Sequence, residues 1–217
     1  MADLQKLYDA ILNGNFKAAR EVTQQAIAEG MDPSALVHDT MIPAMNEVGR
    51  RYEANEYFVP ELLIAARAMK ASLELIRPLL AEKGTEPVGR VVIGTVQGDL
   101  HDIGKNLVAA MLEGAGFEVV NLGVNVTADQ FVAAAQKEQA DILAASALLT
   151  TAMMEMRKLV QAVEQAGLRP RVRVILGGAP ITREFAQEVG ADGYGVDSAQ
   201  AVELARSLVQ ENRRSAA

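Results

Sequence analysis

From residue 90 onward, short apolar runs alternate with amphipathic segments, and this alternation constrains the fold more than any other feature of the sequence. The runs at 90–96, 117–122, 141–145, 172–176 and 193–196 read as strands. The segments at about 103–115, 128–138, 152–166, 182–189 and 199–211 read as helices. Repeated strand–helix units of this size predict a parallel sheet covered on both faces. The expected strand order is 2-1-3-4-5, with a ligand at the carboxyl edge, where strands 1 and 3 part.

Three loops at that edge carry unusual residues. The first is Gly98-Asp99-Leu100-His101-Asp102-Ile103-Gly104, between strand 1 and its helix. An Asp two positions before a His can accept a proton from one ring nitrogen and leave the other free as a base or a metal ligand. Ser146-Ala147-Leu148-Leu149-Thr150-Thr151 follows strand 3, and Gly177-Gly178-Ala179-Pro180 follows strand 4. A glycine pair lets the backbone approach a bulky group closely.

The N-terminal third is different. Leu4, Leu7, Tyr8, Ile11 and Leu12 share one helical face, with Asp3 as N-cap and Gly14 as terminator. A second helix starts near Asn15 and closes at Gly30. Asp32-Pro33 opens a third, which Pro43 is expected to kink or divide. A fourth starts around Pro60 and carries Leu63, Ala66, Met69, Leu73, Ile76 and Leu80. Four such helices with short connections predict a helical bundle. The polar segment 82–89 reads as a linker, so the expected domains are 1–85, helical, and 86–217, α/β.

Composition narrows the chemistry. With 217 residues, 50% hydrophobic and 23% charged, the chain can bury real cores. A net charge of −7 argues against a nucleic-acid partner. The absence of cysteine removes disulfides, thiolate zinc sites and a cysteine nucleophile, and fits a cytoplasmic protein. No signal-peptide core or membrane-length apolar run is present. There is no G-x-G-x-x-G, P-loop, H-E-x-x-H or nucleophile elbow. One histidine fills one coordination position, so a metal here must bring most of its own ligands, as a macrocycle does.

The three loops together resemble the cobalamin-binding signature D-x-H-x-x-G, S-x-L, G-G. In this chain 41 residues (105–145) separate Gly104 from Ser146, and 28 (149–176) separate Leu148 from Gly177. Asn55-Glu56-Tyr57-Phe58-Val59-Pro60-Glu61-Leu62-Leu63 and the helix after it resemble the helical cap that precedes the cobalamin domain in methionine synthase and in corrinoid proteins of methyltransferase systems. The resemblance covers nearly the whole chain. It implies a four-helix cap followed by a Rossmann-like, flavodoxin-like domain.

The resemblance also implies roles. His101 is the axial cobalt ligand, displacing the cofactor's own base, and Asp99 tunes it by hydrogen bonding Nδ1–H. Gly104 lets the nucleotide tail pass, with Gly98, Leu100, Asp102 and Ile103 beside it in the loop. Ser146, Leu148 and Thr150 line the tail pocket. Gly177, Gly178 and Ala179 approach the tail's end, as do Tyr194, Gly195 and Asp197. Val124, Asn125 and Val126 face the corrin, and Phe58 shields its upper face. The implied cofactor is cobalamin, as methylcobalamin and cob(I)alamin, or a related corrinoid. The implied function is a methyl carrier, not catalytic alone. It takes a methyl group from a methylamine, methanol, aryl methyl ether or betaine type of donor and delivers it to tetrahydrofolate or a thiol. Its partners are a substrate-specific methyltransferase, an acceptor methyltransferase and a reductive activase; the linker is the expected hinge by which the cap uncovers the cofactor.

One departure stands out. Methionine synthase extends its His–Asp relay with a serine, and the matching position here is Ala152. Three other readings compete: an ordinary acid–base pair of His101 and Asp99, a cobalamin-dependent sensor or regulatory module, and the small subunit of an adenosylcobalamin mutase. His38 reads as a surface or partly buried residue and Asp102 as a helix N-cap, while the Met residues read as packing.

Overall fold

The computed structural model describes residues 2–82 and 87–216. It divides into two compact units, Met1–Pro87 with Ala110–Gly116, and Val88–Ala109 with Phe117–Ala217. Residues 83–86, which hold the expected domain boundary and the centre of the expected hinge, lie outside the described residues.

The first unit is helical. Asp3, Asn15 and Asp32 each cap a helix by accepting a backbone N–H through the side chain, from Lys6 (3.1 Å), Ala18 (3.2 Å) and Ala35 (3.3 Å). They open α1 (Leu4–Leu12), α2 (Phe16–Ala28) and α3 (Pro33–Ala35). The fourth long helix, α5, runs Val59–Glu82. Leu7, Ile11, Leu36, Met41, Leu62, Met69 and Ile76 are fully buried.

Pro43 does not break its helix. The chain passes from α3 through a π-helical stretch, Leu36–Met41, directly into α4 (Ile42–Glu53). Proline has no N–H to offer and its ring crowds the carbonyl four residues back. The wider π turn relieves both problems upstream of residue 43. His38 lies in this stretch and is exposed.

The second unit is the expected parallel sheet, ordered β2-β1-β3-β4-β5. Its strands are β1 (Arg90–Thr95), β2 (Glu118–Asn121), β3 (Ile142–Ser146), β4 (Arg173–Gly177) and β5 (Gly193–Gly195). Helices α6 (Ile103–Gly114), α7 (Ala128–Lys137), α8 (Met153–Gln165), α9 (Arg183–Glu188) and α10 (Ser198–Ala216) connect and follow them. The three central strands are the most deeply buried, as strands covered on both faces must be.

The amino edge of this sheet is closed by ion pairs. Asp192, just before β5, accepts Arg169 Nη1 at 2.6 Å, Arg173 Nη1 at 3.1 Å and the Val174 N–H at 2.7 Å. Arg173 Nε also donates to Asn212 Oδ1 of α10 at 2.7 Å. This ion-paired cluster ties β4, β5 and the final helix together.

Candidate functional site at the carboxyl edge of the sheet

The strand ends fall in one row. Thr95 pairs with Ser146, Ser146 with Gly177, and Gly177 with Gly195. The long spacings between the motif elements are thus the lengths of helix and strand needed to return the chain to the same level of a parallel sheet.

Asp99 is the centre of the site. Its side chain is completely buried, and its carboxylate collects four donors. Oδ1 accepts the His101 N–H at 3.0 Å and His101 Nδ1 at 2.7 Å. Oδ2 accepts the N–H groups of Leu148 at 2.6 Å and Leu149 at 3.1 Å. Burial pushes the carboxyl pKa up, but the hydrogen bonds of His101, Leu148 and Leu149 prevail and hold it at about 2. The carboxylate is therefore ionised and can only accept, so the shared proton sits on Nδ1. The lone pair of Nε2 is left free on a ring that is 53% exposed.

The histidine's backbone is held too. Thr95, fully buried at the end of β1, donates its hydroxyl to the His101 carbonyl at 2.8 Å. Asn125, at φ +55°, accepts the Gly98 N–H at 2.8 Å and donates its own N–H to the Asp99 carbonyl at 3.1 Å. The loops after β1, β2 and β3 are thus joined through Asp99 and Asn125.

The loop after β4 packs against the loop after β3. A Cβ on Gly178, whose φ is +127°, would stand 1.8 Å from the Ala147 carbonyl oxygen. Loop-against-loop packing thus demands glycine at 178, a requirement additional to any bound group. Gly98 and Gly104 are the reverse case: a Cβ on either would meet nothing within 4 Å, so the space beside them is open.

Several expectations need correction. Val126 is 4% exposed, bridges to Val96 and belongs to the core, so it does not face outward; Val124 is half-buried. Tyr194 packs against the same core from β5, and a Cβ on buried Gly195 would stand 3.0 Å from the Ala201 side chain. Asp197 accepts the Gln200 N–H at 2.8 Å, which makes it the N-cap of α10. Asp102 bonds a side chain rather than capping α6 with its own: Oδ2 accepts Asn106 Nδ2 at 2.9 Å, while its carbonyl accepts the Asn106 N–H at 2.8 Å. Phe58 belongs to the helical unit, immediately precedes α5, and is 62% exposed. Met154 is exposed rather than packed. Ala152 is buried and has no hydroxyl to offer, and Asp99 Oδ2 accepts the Leu148 and Leu149 N–H groups.

Other residues at the edge are open. Leu100 (71%), Ile103 (81%), Leu148 (45%) and Val196 (57%) are exposed, together with Leu149, Thr150 and Ala179. Ser146, Gly177 and Gly178 are half-buried. Large apolar side chains gathered on the loops of one sheet edge mark a binding surface. Thr95, Leu149, Lys105, Asn106 and Asn121 are the residues of this edge that sequence reasoning passed over. Only Lys105 carried a signal: it is a cation in the first turn of a helix, where the dipole disfavours one.

The donor set fits a corrinoid. Among the described residues no cluster of three or more His, Asp or Glu could hold a bare metal ion. One imidazole with an open nitrogen, an apolar rim and open space beside Gly98 and Gly104 suit a metal that arrives in a large, partly apolar macrocycle.

Comparison with known proteins agrees. Residues 89–203 match the family model described as B12 binding domain, and residues 3–77 match a second model of the same description. The fold and site are therefore those of a cobalamin-binding protein. The chain is 39% identical over 212 residues to a corrinoid protein of Desulfitobacterium hafniense (strain Y51), covering 96% of this chain and 98% of that one. It is also 39% identical over 208 residues to trimethylamine corrinoid protein 1 of Methanosarcina acetivorans, covering 95% and 96%. Among solved structures, the methanol:cobalamin methyltransferase complex MtaBC from Methanosarcina barkeri superposes with a TM-score of 0.86 at 30% identity, covering 98% of this chain and 83% of that one. The chain belongs to the corrinoid proteins of methyltransferase systems.

Proposed function

We propose that this corrinoid protein carries a methyl group between two partner methyltransferases, and that His101 would hold the cobalt of its cofactor. One observation carries the assignment of His101. Its Nδ1 is held 2.7 Å from a buried carboxylate, which leaves Nε2, and only Nε2, as an available donor. When bound, the corrinoid supplies a cobalt centre that accepts a methyl group and gives it up again. The chain's own residues do the rest. Asp99 keeps the imidazole in one tautomer and one orientation. Thr95 and Asn125 hold the loop that carries both residues. The open space beside Gly98 and Gly104 would admit the nucleotide tail, and Ser146, Leu148, Thr150, Gly177, Gly178 and Ala179 would border it. Exposed Leu100, Ile103 and Val196 would give the corrin an apolar seat.

The proton on Nδ1 goes no further than Asp99. All four bonds to that carboxylate are donated to it, three by backbone amides that cannot pass a proton on. With Ala152 in place of the relay serine, the hydrogen-bonded string ends at the loop after β3.

The donor belongs to the methylamine or methanol class, which the relatives' names support. The acceptor is tetrahydrofolate or a thiol, and a reductive activase completes the system. The protein works in the cytoplasm; among the described residues no helix is long and apolar enough to cross a membrane. The test is reconstitution with cobalamin followed by visible spectroscopy. The native chain should give the base-off, histidine-ligated spectrum, and His101→Ala should lose it. An identical spectrum in the variant sinks the assignment.

A further inference from the structure

Lys105 is 3% exposed, yet no carboxylate lies within ion-pair distance of its ammonium among the described residues. Burial draws its pKa below the ordinary lysine value, with Asp102 opposing from a distance. It also stands in the first turn of α6, where a positive charge opposes the helix dipole. A buried, unpaired cation in an unfavourable place costs stability. Packing alone would be better served by Met or Leu.

The ammonium instead organises two amides. Nζ donates to Asn106 Oδ1 at 2.8 Å and to Asn121 Oδ1 at 2.7 Å. Asn121 Nδ2 donates to Asn106 Oδ1 at 3.0 Å, and Asn106 Nδ2 donates to Asp102 Oδ2 at 2.9 Å. Asn121 Oδ1 also accepts the Gly123 N–H at 3.0 Å, and the Gly123 carbonyl accepts the N–H of Thr95 at 3.0 Å. Both amide oxygens are therefore filled by two donors each, and Lys105 is the donor common to both. The string runs from the exit of β2, across the ammonium, to the residue that follows His101.

We propose that Lys105 is a positioning residue of the cofactor site, holding the β1–α6 loop in register with the loop that leaves β2. Asn121 and Asn106 are its two arms. One reaches Gly123 and through it Thr95, which grips the His101 carbonyl. The other reaches Asp102. This assignment rests on His101 as the cobalt ligand for its functional meaning, but the ordering of the loops does not.

Lys105→Met keeps the length and the apolar stem and removes the charge. A residue that only supports the fold would lower the melting temperature when replaced. A positioning residue buried at a cost gives the opposite pattern: an unchanged or raised melting temperature with a weaker site. In the cofactor-free protein, amide exchange at 98–103 and 121–126 should become about tenfold faster, the equivalent of losing one hydrogen bond to a charged group. Exchange in β4 and α10 should stay as it was. Apparent cobalamin affinity should fall roughly 10- to 100-fold, the usual effect of removing an outer partner of a metal ligand. The histidine-ligated share of the spectrum should fall with it. Asn121→Ala, at an exposed side chain, should repeat this pattern more weakly, and it decides the matter if Lys105→Met does not fold. Native exchange in both loops together with native affinity overturns the proposal. His101→Ala run in parallel separates the two assignments. If that variant keeps the native spectrum, the ligand assignment fails, while the exchange result still decides the role of Lys105 in the loops.

Discussion

The two edges of the sheet each contain a buried aspartate that gathers hydrogen bonds, and only one of them is a candidate functional site. At the amino edge, Asp192 faces two guanidinium groups and one backbone N–H. Its charge is answered by the arginines, and its oxygens are spent inside the fold. At the carboxyl edge, Asp99 is satisfied by three backbone N–H groups and one imidazole, and the imidazole keeps its second nitrogen open. The difference shows how to tell a staple from a site. A buried carboxylate closed off by arginines spends its interactions on the fold alone. One closed off by neutral donors passes its influence outward through the single donor that can act twice.

Removing each carboxylate should expose this contrast. Asp192→Ala has the largest expected effect on stability. It leaves Arg169 and Arg173 half-buried without their partner and should cost about 3 kcal/mol in urea unfolding. The cobalamin spectrum of the folded variant should match the native one; a changed spectrum would mean that the two edges are not separate.

Asp99→Asn comes next, at about 2 kcal/mol, because an NH2 group in place of either oxygen then faces two of the four donors. Here stability and cofactor affinity should fall together. The pH dependence has a defined sign. The folded pKa is about 2 and the ordinary value 3.8, so the contribution is complete above pH 3.8 and vanishes as pH falls toward 2. That contribution amounts to about 2 kcal/mol. The stability gap between native protein and Asp99→Asn should therefore be constant near pH 5 and narrow between pH 3.8 and pH 2. A gap independent of pH would show that the variant acts through packing.

Two glycines sharpen the comparison within the site itself. Gly178→Ala meets the Ala147 carbonyl and an unfavourable φ, and should cost about 1–2 kcal/mol before any cofactor is added. Gly104→Ala meets nothing and lies in helix α6, so it should raise the stability of the cofactor-free protein by about 0.5 kcal/mol. Cobalamin affinity should nonetheless drop, since the methyl group enters the space assigned to the tail. Undiminished affinity in Gly104→Ala would remove that glycine from the binding path.

What the sequence made legible followed from patterns that local physics enforces. Alternation of apolar runs and amphipathic segments led to the observed strand order, and Asp-x-His marked the loop where the imidazole and carboxylate meet. The rest was hidden for identifiable reasons. The N–H groups of Leu148 and Leu149 complete the Asp99 shell, but every residue except proline has one, so no residue type announces them. Val126 sits in a loop after a strand, where an outward side chain is the natural expectation; its bridge to Val96 turns it into the core instead. Tyr194 and Asp197 sit at the same edge, and the core packing of one and the helix capping by the other are roles that residue type alone does not announce. Lys105 has the look of a solvated charge because burial by tertiary contacts leaves no trace in local spacing.

The wide turn at Leu36–Met41 has one more consequence. Buried Leu36, Thr40, Ala44 and Val48 recur at every fourth position, and so do Val37, Met41 and Met45. A regular α-helix, at about 3.6 residues per turn, would carry such a stripe steadily around its axis and out into water. The π segment absorbs the drift, so the helix holds a phase slip that keeps the stripe facing inward. Pro43, with no N–H to complete a regular ladder, prevents the slip from annealing. A deletion of one residue within 36–41 should therefore misphase everything from Ala44 to Val48, even though it brings the backbone nearer to an ideal helix.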